Sequence, residues 1–151
     1  MEPDTLSKLL EIEAIKNVKA RYARAVDTKQ WEDLNLLFAP SPELIFLSSR
    51  GEVEMTFQDS ASFVEVVKPI QSAKTAHHVH NPEIEILSAT TAKGIWALED
   101  QIRFPQDVES PFKTFHGYGH YHETYEKVNG EWKIKTLRLE RTYLNIDGID
   151  N

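Results

Sequence analysis

The hydrophobic period of this chain changes at Pro69, and that change limits the folds available to it more than any other feature. Ahead of it, Leu9, Ile12, Ile15, Val18, Tyr22, Ala25 and Val26 recur at three- and four-residue spacing, the apolar stripe of a helix spanning about Thr5 to Val26. Asp27-Thr28 breaks the stripe. Trp31, Leu34, Leu37 and Phe38 then mark a short second helix, ended by a Pro40-Ser41-Pro42 turn. Glu43 to Leu47 reads as a strand, and Ser60, behind Asp59, as the N-cap of a helix through Val67. Beyond Pro69, His80–Leu87, Thr91–Phe104, Phe115–Val128 and Trp132–Ile146 alternate and favour β-structure. Ser88-Ala89-Thr90 supplies one turn between them. Asn129-Gly130 supplies another, because both residues tolerate the positive φ of a type I′ hairpin. The order is α-α-β-α-β-β-β-β. It predicts an α+β domain in which a strongly curved antiparallel sheet wraps N-terminal helices and either fills its concave side or leaves an internal pocket there.

At 151 residues the chain is long enough to bury a core without staples. It has no cysteine, which excludes disulfides, thiolate catalysis and Cys-based zinc sites and fits a reducing, cytoplasmic setting. Met1 to Lys8 lacks the apolar run of a signal peptide, and no stretch has the ~20 apolar residues of a membrane span. The net charge of −7 disfavours nucleic acid or an anionic membrane as partner. The expected partners are a small hydrophobic substrate and further copies of the chain, as a homodimer or homotrimer. The second expectation rests on Tyr121, Tyr125 and Ile134 as apolar positions on the sheet's outer face.

Parity along the strands selects the chemistry-bearing residues. Asp100 shares a face with Trp96, Leu98 and Ile102, and Arg141 shares parity with Leu137, Leu139 and Tyr143. Tyr22 lies on the apolar stripe of the first helix and Asp27 at its end. Polar groups that face apolar territory must pair or line a wet cavity. For each alone, a structural role is the commoner explanation, as a buried ion pair or a satisfied core tyrosine. A nearby imidazole changes that balance. Within Thr75-Ala76-His77-His78-Val79-His80-Asn81, alternation puts His78 and His80 opposite His77. Apolar Val79 shares parity with His77 and Asn81, so the odd-numbered face is read as inward. A histidine backed by a carboxylate is a general base suited to neutral pH, and Asp27 is the best candidate for that carboxylate. The pairs His78-x-His80 and His120-x-His122 would suit a metal site, but no acidic ligand is tied to them by spacing. No metal or other cofactor is expected.

Several segments carry a family resemblance. Ile12-Glu13-Ala14-Ile15-Lys16 through Ala20-Arg21-Tyr22-Ala23-Arg24-Ala25-Val26-Asp27, then Trp31-Glu32-Asp33-Leu34, resemble the opening of SnoaL-like proteins. These belong to the nuclear-transport-factor-2-like, or cone-fold, superfamily. His77-x-x-x-Asn81-Pro82-Glu83-Ile84, Trp96-x-Leu98-Glu99-Asp100 and Tyr125-Glu126-Lys127-x-Asn129-Gly130-x-Trp132 continue the likeness, so residues 1–151 read as one SnoaL-like domain. The resemblance implies a cone-shaped barrel with an internal pocket. Within the family the likeness is greatest to bacterial bile acid 7α-dehydratase. It implies Tyr22, Asp27, His77, Asp100 and Arg141 as catalytic residues. The first three are less specific, because scytalone dehydratase and hexachlorocyclohexane dehydrochlorinase carry related His–Asp pairs. Pro105 to His122 departs from the dehydratase pattern, with Pro105, Pro111 and the run His116-Gly117-Tyr118-Gly119-His120-Tyr121-His122.

Together these readings favour a cofactor-independent dehydratase acting on a hydrophobic, hydroxylated carbonyl compound such as a steroid or polycyclic ketone. Phe63, Trp96, Leu98 and Phe115 are candidates for its apolar wall. An isomerase or cyclase of the same fold is one alternative. The other is non-catalytic, a ligand-binding module or a partner resembling a dioxygenase β-subunit, which has no use for a complete His–Asp–Tyr–Arg set.

Overall fold

The computed structural model describes residues 4–151; the first three residues of the Met1–Lys8 segment lie outside it. Helix α1 (Thr5–Asp27) begins at Asp4, whose carboxylate accepts the Ser7 N–H at 2.7 Å and so satisfies one of the free donors of the first turn. Its stripe buries Ile15, Val18, Tyr22, Ala25 and Val26, while Leu9 in the first turns is exposed. Helix α2 (Trp31–Leu36) stops before Leu37 and Phe38. Phe38 instead opens strand β1 (Phe38–Leu47). The expected Pro40-Ser41-Pro42 turn is an irregularity inside this strand: Ser41 has φ 49° and the pairing shifts between Phe38 and Glu43. Prolines lack an N–H to donate, and here they precede Leu44, the first β1 residue paired to strand β2 (Val53–Phe57).

Helix α3 (Ser60–Val67) is capped by Asp59 rather than Ser60. The carboxylate reaches the Ser62 N–H at 2.7 Å and the Ser62 hydroxyl at 2.8 Å. A short 3₁₀ turn (Lys68–Ser72) leads into β3 (Lys74–Ile86), β4 (Thr91–Arg103), β5 (Thr114–Val128), β6 (Glu131–Ile146) and a terminal β7 (Ile149–Asp150). Thus β3 begins six residues before His80, which places His77 within the strand. The Asn129-Gly130 hairpin has φ 51° and 81°, as a type I′ turn requires.

The sheet order is β2-β1-β6-β5-β4-β3, with β7 paired to β6. β1 and β6 run parallel and the other pairs antiparallel, so the sheet is mixed. It is not closed, and it curves around α1, which packs on β3 and β6 and meets Tyr121 of β5 through Tyr22. This is the cone-shaped α+β architecture expected. Its core joins α1 and α3 to the inward residues Leu44, Trp96, Leu98, Tyr121, Tyr125, Ile134, Leu137 and Leu139.

Three parity readings fail. Tyr121, Tyr125 and Ile134 are buried core residues, at 3%, 1% and 0% exposure, so they offer no outer surface for self-association. β5 begins at Thr114, and its inward residues are the odd-numbered Tyr121, Glu123 and Tyr125. Tyr143 does not share a face with Arg141. Gly119 pairs with Arg141 but Tyr118 pairs with Tyr143, so Thr142 is an extra residue that reverses the alternation. Tyr143 is therefore exposed and donates its hydroxyl to Asp150 at 2.6 Å. A second shift lies between His80 and Glu83, where Asn81 has φ 48°. Asn81 is consequently exposed rather than facing inward with Val79. Among the described residues, no helix is long and apolar enough to cross a membrane.

Candidate active site

The sheet register draws the polar inward residues together. His77 on β3 pairs with Asp100 on β4, and Asp100 pairs with Gly117 on β5. Gly117 has no side chain to fill the next place on that row. Arg141 of β6, opposite Gly119 of β5, reaches across that place to Asp100. Its Nη1 lies 2.5 Å from Oδ1 and its Nη2 2.9 Å from Oδ2, a two-pronged pairing of the kind guanidinium geometry favours. A Cβ on Gly117 would stand 2.5 Å from Arg141 Nη1 and 2.8 Å from Asp100 Oδ1. Burial opposes the charge of Arg141, but hydrogen bonding and attraction to Asp100 outweigh it and hold the guanidinium above its ordinary pKa.

Asp27 enters from the last turn of α1 and takes three donors from β3. The Thr75 hydroxyl donates at 2.9 Å, the His77 backbone N–H at 2.9 Å, and His77 Nδ1 lies 2.7 Å from Oδ1. Half-burial works against its charge, yet the hydrogen bonds from His77 and Thr75 prevail and the carboxyl sits below its usual range. An ionised Asp27 fixes the proton of His77 on Nδ1, which leaves Nε2 as the basic nitrogen. Nε2 is 3.9 Å from Asp100 Oδ2, too far for a hydrogen bond. His78, on the opposite face, is exposed.

Tyr22 completes the set from α1. Its ring stacks on Phe63 with centroids 6.5 Å apart and meets the edges of Phe38 and Tyr121 at 6.2 and 5.9 Å. Its hydroxyl interacts with that of Tyr121 and lies in the field of Asp100 and Arg141. Burial first, and then the charge of Glu123, push this phenol well above its ordinary pKa, so it is a hydrogen-bond donor throughout the physiological range. Phe63, Trp96 and Leu98 are buried in the same core cluster as Tyr22, and Phe115 lies under Arg141, 5.1 Å from its guanidinium carbon.

Sequence reasoning missed Thr75, Gly117 and an ion pair. Lys19 and Glu123 are both completely buried and salt-bridged. Their signal was present: Lys19 continues the stripe Ile15–Tyr22–Val26, and Glu123 shares parity with Tyr121 and Tyr125. Among the described residues, no group of three or more His, Asp or Glu side chains is arranged to hold a metal. A groove on the other face of the sheet, bordered by Ile45, Ile95, His122, Thr136 and Arg138, contains none of the five candidate residues.

A SnoaL-like domain model matches residues 7–138. The chain belongs to the SnoaL-like family. This SnoaL-like chain is 27% identical over 136 residues to Probable cyclase FGR4 from Gibberella zeae, a match covering 85% of the chain and 89% of that relative. The crystal structure of a scytalone dehydratase candidate from Novosphingobium aromaticivorans superposes with a TM-score of 0.81 at 25% identity, over 94% of this chain and 91% of the other. Hexachlorocyclohexane dehydrochlorinase LinA-type3 from Novosphingobium barchaimii has the same fold, with a TM-score of 0.76 at 18% identity over 95% and 94% of the two chains.

Proposed function

We propose that this protein is a cofactor-independent dehydratase, a carbon–oxygen lyase for hydrophobic, hydroxylated carbonyl compounds of the steroid or polycyclic ketone class. The observation that carries this reading is the 2.7 Å contact between His77 Nδ1 and Asp27, which leaves Nε2 to act as base. His77 Nε2 removes a proton from the carbon beside the carbonyl. The electron pair of that C–H bond moves toward the carbonyl oxygen, where the Tyr22 hydroxyl donates to the developing oxyanion. When the carbonyl re-forms, the pair becomes the new C=C bond and the C–O bond to the leaving hydroxyl breaks. The imidazolium of His77 returns its proton to that hydroxyl, so one water leaves and the product is an enone. Asp100, tied to Arg141, keeps a fixed negative charge beside the imidazolium while the guanidinium balances it. Phe63, Trp96, Leu98 and Phe115 supply the apolar surroundings that strengthen these interactions.

A panel of hydroxylated keto-steroids and aromatic polyketides, followed by enone absorbance, tests the reading. The expected result is absorbance that grows with the protein and not with a His77→Ala variant. A folded protein that neither forms an enone nor exchanges α-hydrogen for deuterium with any panel member would overturn it. The likeness to Probable cyclase FGR4 favours a second reading, in which the same enolate attacks another carbon of its own molecule. Product mass separates the two, since cyclisation without dehydration retains the water.

A further inference from the structure

The buried Lys19–Glu123 pair has no part in the chemistry above, yet it sits directly behind the tyrosine that does. Lys19 Nζ lies 3.4 Å from the Tyr121 ring centroid and 4.1 Å from that of Tyr22, well within the ~6 Å over which a cation is attracted to an aromatic face. One oxygen of Glu123 receives Lys19 and the other receives the Tyr125 hydroxyl. The Tyr125 oxygen in turn accepts Trp96 Nε1–H at 2.8 Å. Each side chain in this run is therefore tied to the next, and the ammonium is held in one place. We propose that Lys19, Glu123 and Tyr121 form a buried positioning network that fixes the Tyr22 ring and hydroxyl as the oxyanion donor. The inference rests on the role assigned to Tyr22 above.

Three features support a positioning role. An ammonium against two ring faces ties α1 to β5, so neither ring can tilt without giving up a cation contact. The network meets the rings at their faces, which leaves the Tyr22 hydroxyl free of a direct bond to either charge while it lies in the field of Asp100 and Arg141 as well as Glu123. Both charged side chains are completely buried, so the pair acts through Tyr22. Finally, a buried ion pair is a poor source of net stability, because apolar replacements of similar volume often fold equally well. That makes the pair testable by substitution.

The experiment uses the double variant Lys19→Met with Glu123→Gln, which removes both charges while the amide keeps an acceptor for Tyr125. The single variant Glu123→Gln is measured beside it. Readouts are the thermal transition, the ring-carbon resonances of Tyr22 and Tyr121 in protein labelled at tyrosine Cζ, and kcat and KM on a reactive panel compound. The expected result is a folded double variant whose two resonances move and whose kcat falls about tenfold at unchanged KM, as mispositioning of a donor predicts. Folded variants with unmoved resonances and full kcat would overturn the proposal. So would failure of both variants to fold, which would make the pair a folding element. Tyr22→Phe is the independent control. If it retains full turnover, the role assigned to Tyr22 is wrong, while the resonances still report whether the network positions its ring.

Discussion

Arg141 grips both oxygens of Asp100 directly over Gly117, with N–O separations of 2.5 and 2.9 Å. The pair is largely buried, and neither charge would be tolerated there alone. Its geometry depends on what Gly117 lacks. A side chain at that position would occupy the path by which the guanidinium crosses from β6 to β4, so a residue with no side chain controls where the site's fixed charges lie.

Gly117→Ala should therefore impair turnover more than folding. The added Cβ meets Arg141 Nη1 and Asp100 Oδ1, the far ends of two side chains, which can shift together and stay paired while losing their two-pronged geometry. A turnover loss of about ten- to a hundredfold is expected for such a displacement, with a nearly unchanged thermal transition. Gly119→Ala should do the reverse. There the new Cβ would lie 2.2 Å from the Glu140 carbonyl oxygen, and overpacking against backbone should cost about 1–3 kcal/mol in urea unfolding.

Asp27→Asn should leave the fold intact and cut kcat by about two orders of magnitude, because it removes the charge that selects the His77 tautomer and stabilises its cation. Activity per folded molecule is the quantity to measure. Unchanged turnover with a sharply lowered melting temperature would make Asp27 a structural residue.

The same carboxylate carries a pH signature. Its folded pKa is lowered from the ordinary 3.8, so its contribution to stability is complete above that value and is lost as pH falls through the lower folded value. Urea unfolding of the protein and of Asp27→Asn, measured as a pH series, should show a stability gap that is constant above about pH 5 and narrows below about pH 4. A gap independent of pH would mean that the ionised form gains nothing over the neutral one.

Where a single periodicity ran unbroken, the chain could be read directly. The Tyr22–Asp27 end of α1 and the Trp96–Asp100 face of β4 lie where their spacing placed them, and Asn129-Gly130 turns as its dipeptide demands. Misreadings cluster at irregularities. The extra residue Thr142 turns Tyr143 outward, and the shift at Asn81 exposes that residue. Such bulges are set by contacts between strands rather than by alternation within one. Lys19 and Glu123 are not legible as a pair, because a charge on an apolar stripe reveals its partner only once the two elements are packed together. The exposed β2 and two-residue β7 lack the buried, alternating face that makes a strand legible.

The final prediction separates His77 from His78, neighbours in the chain on opposite faces of β3. His77 pairs in register with Asp100 and contacts Asp27, whereas His78 pairs with Glu99 and is exposed. Only one of them has a carboxylate behind Nδ1 and Nε2 turned toward the interior. His77→Ala should lower turnover by at least ~10², as loss of a general base does, while His78→Ala should retain most of the activity. Melting temperatures and α-hydrogen exchange should be measured on both variants. Exchange isolates proton removal from every later step, and its loss in His77→Ala alone is the expected pattern. Equal losses would point to a shared effect on β3 packing. Loss confined to His78→Ala would mean that the base works from the outer face, and the inward set of Asp27, Asp100 and Arg141 would then need another role.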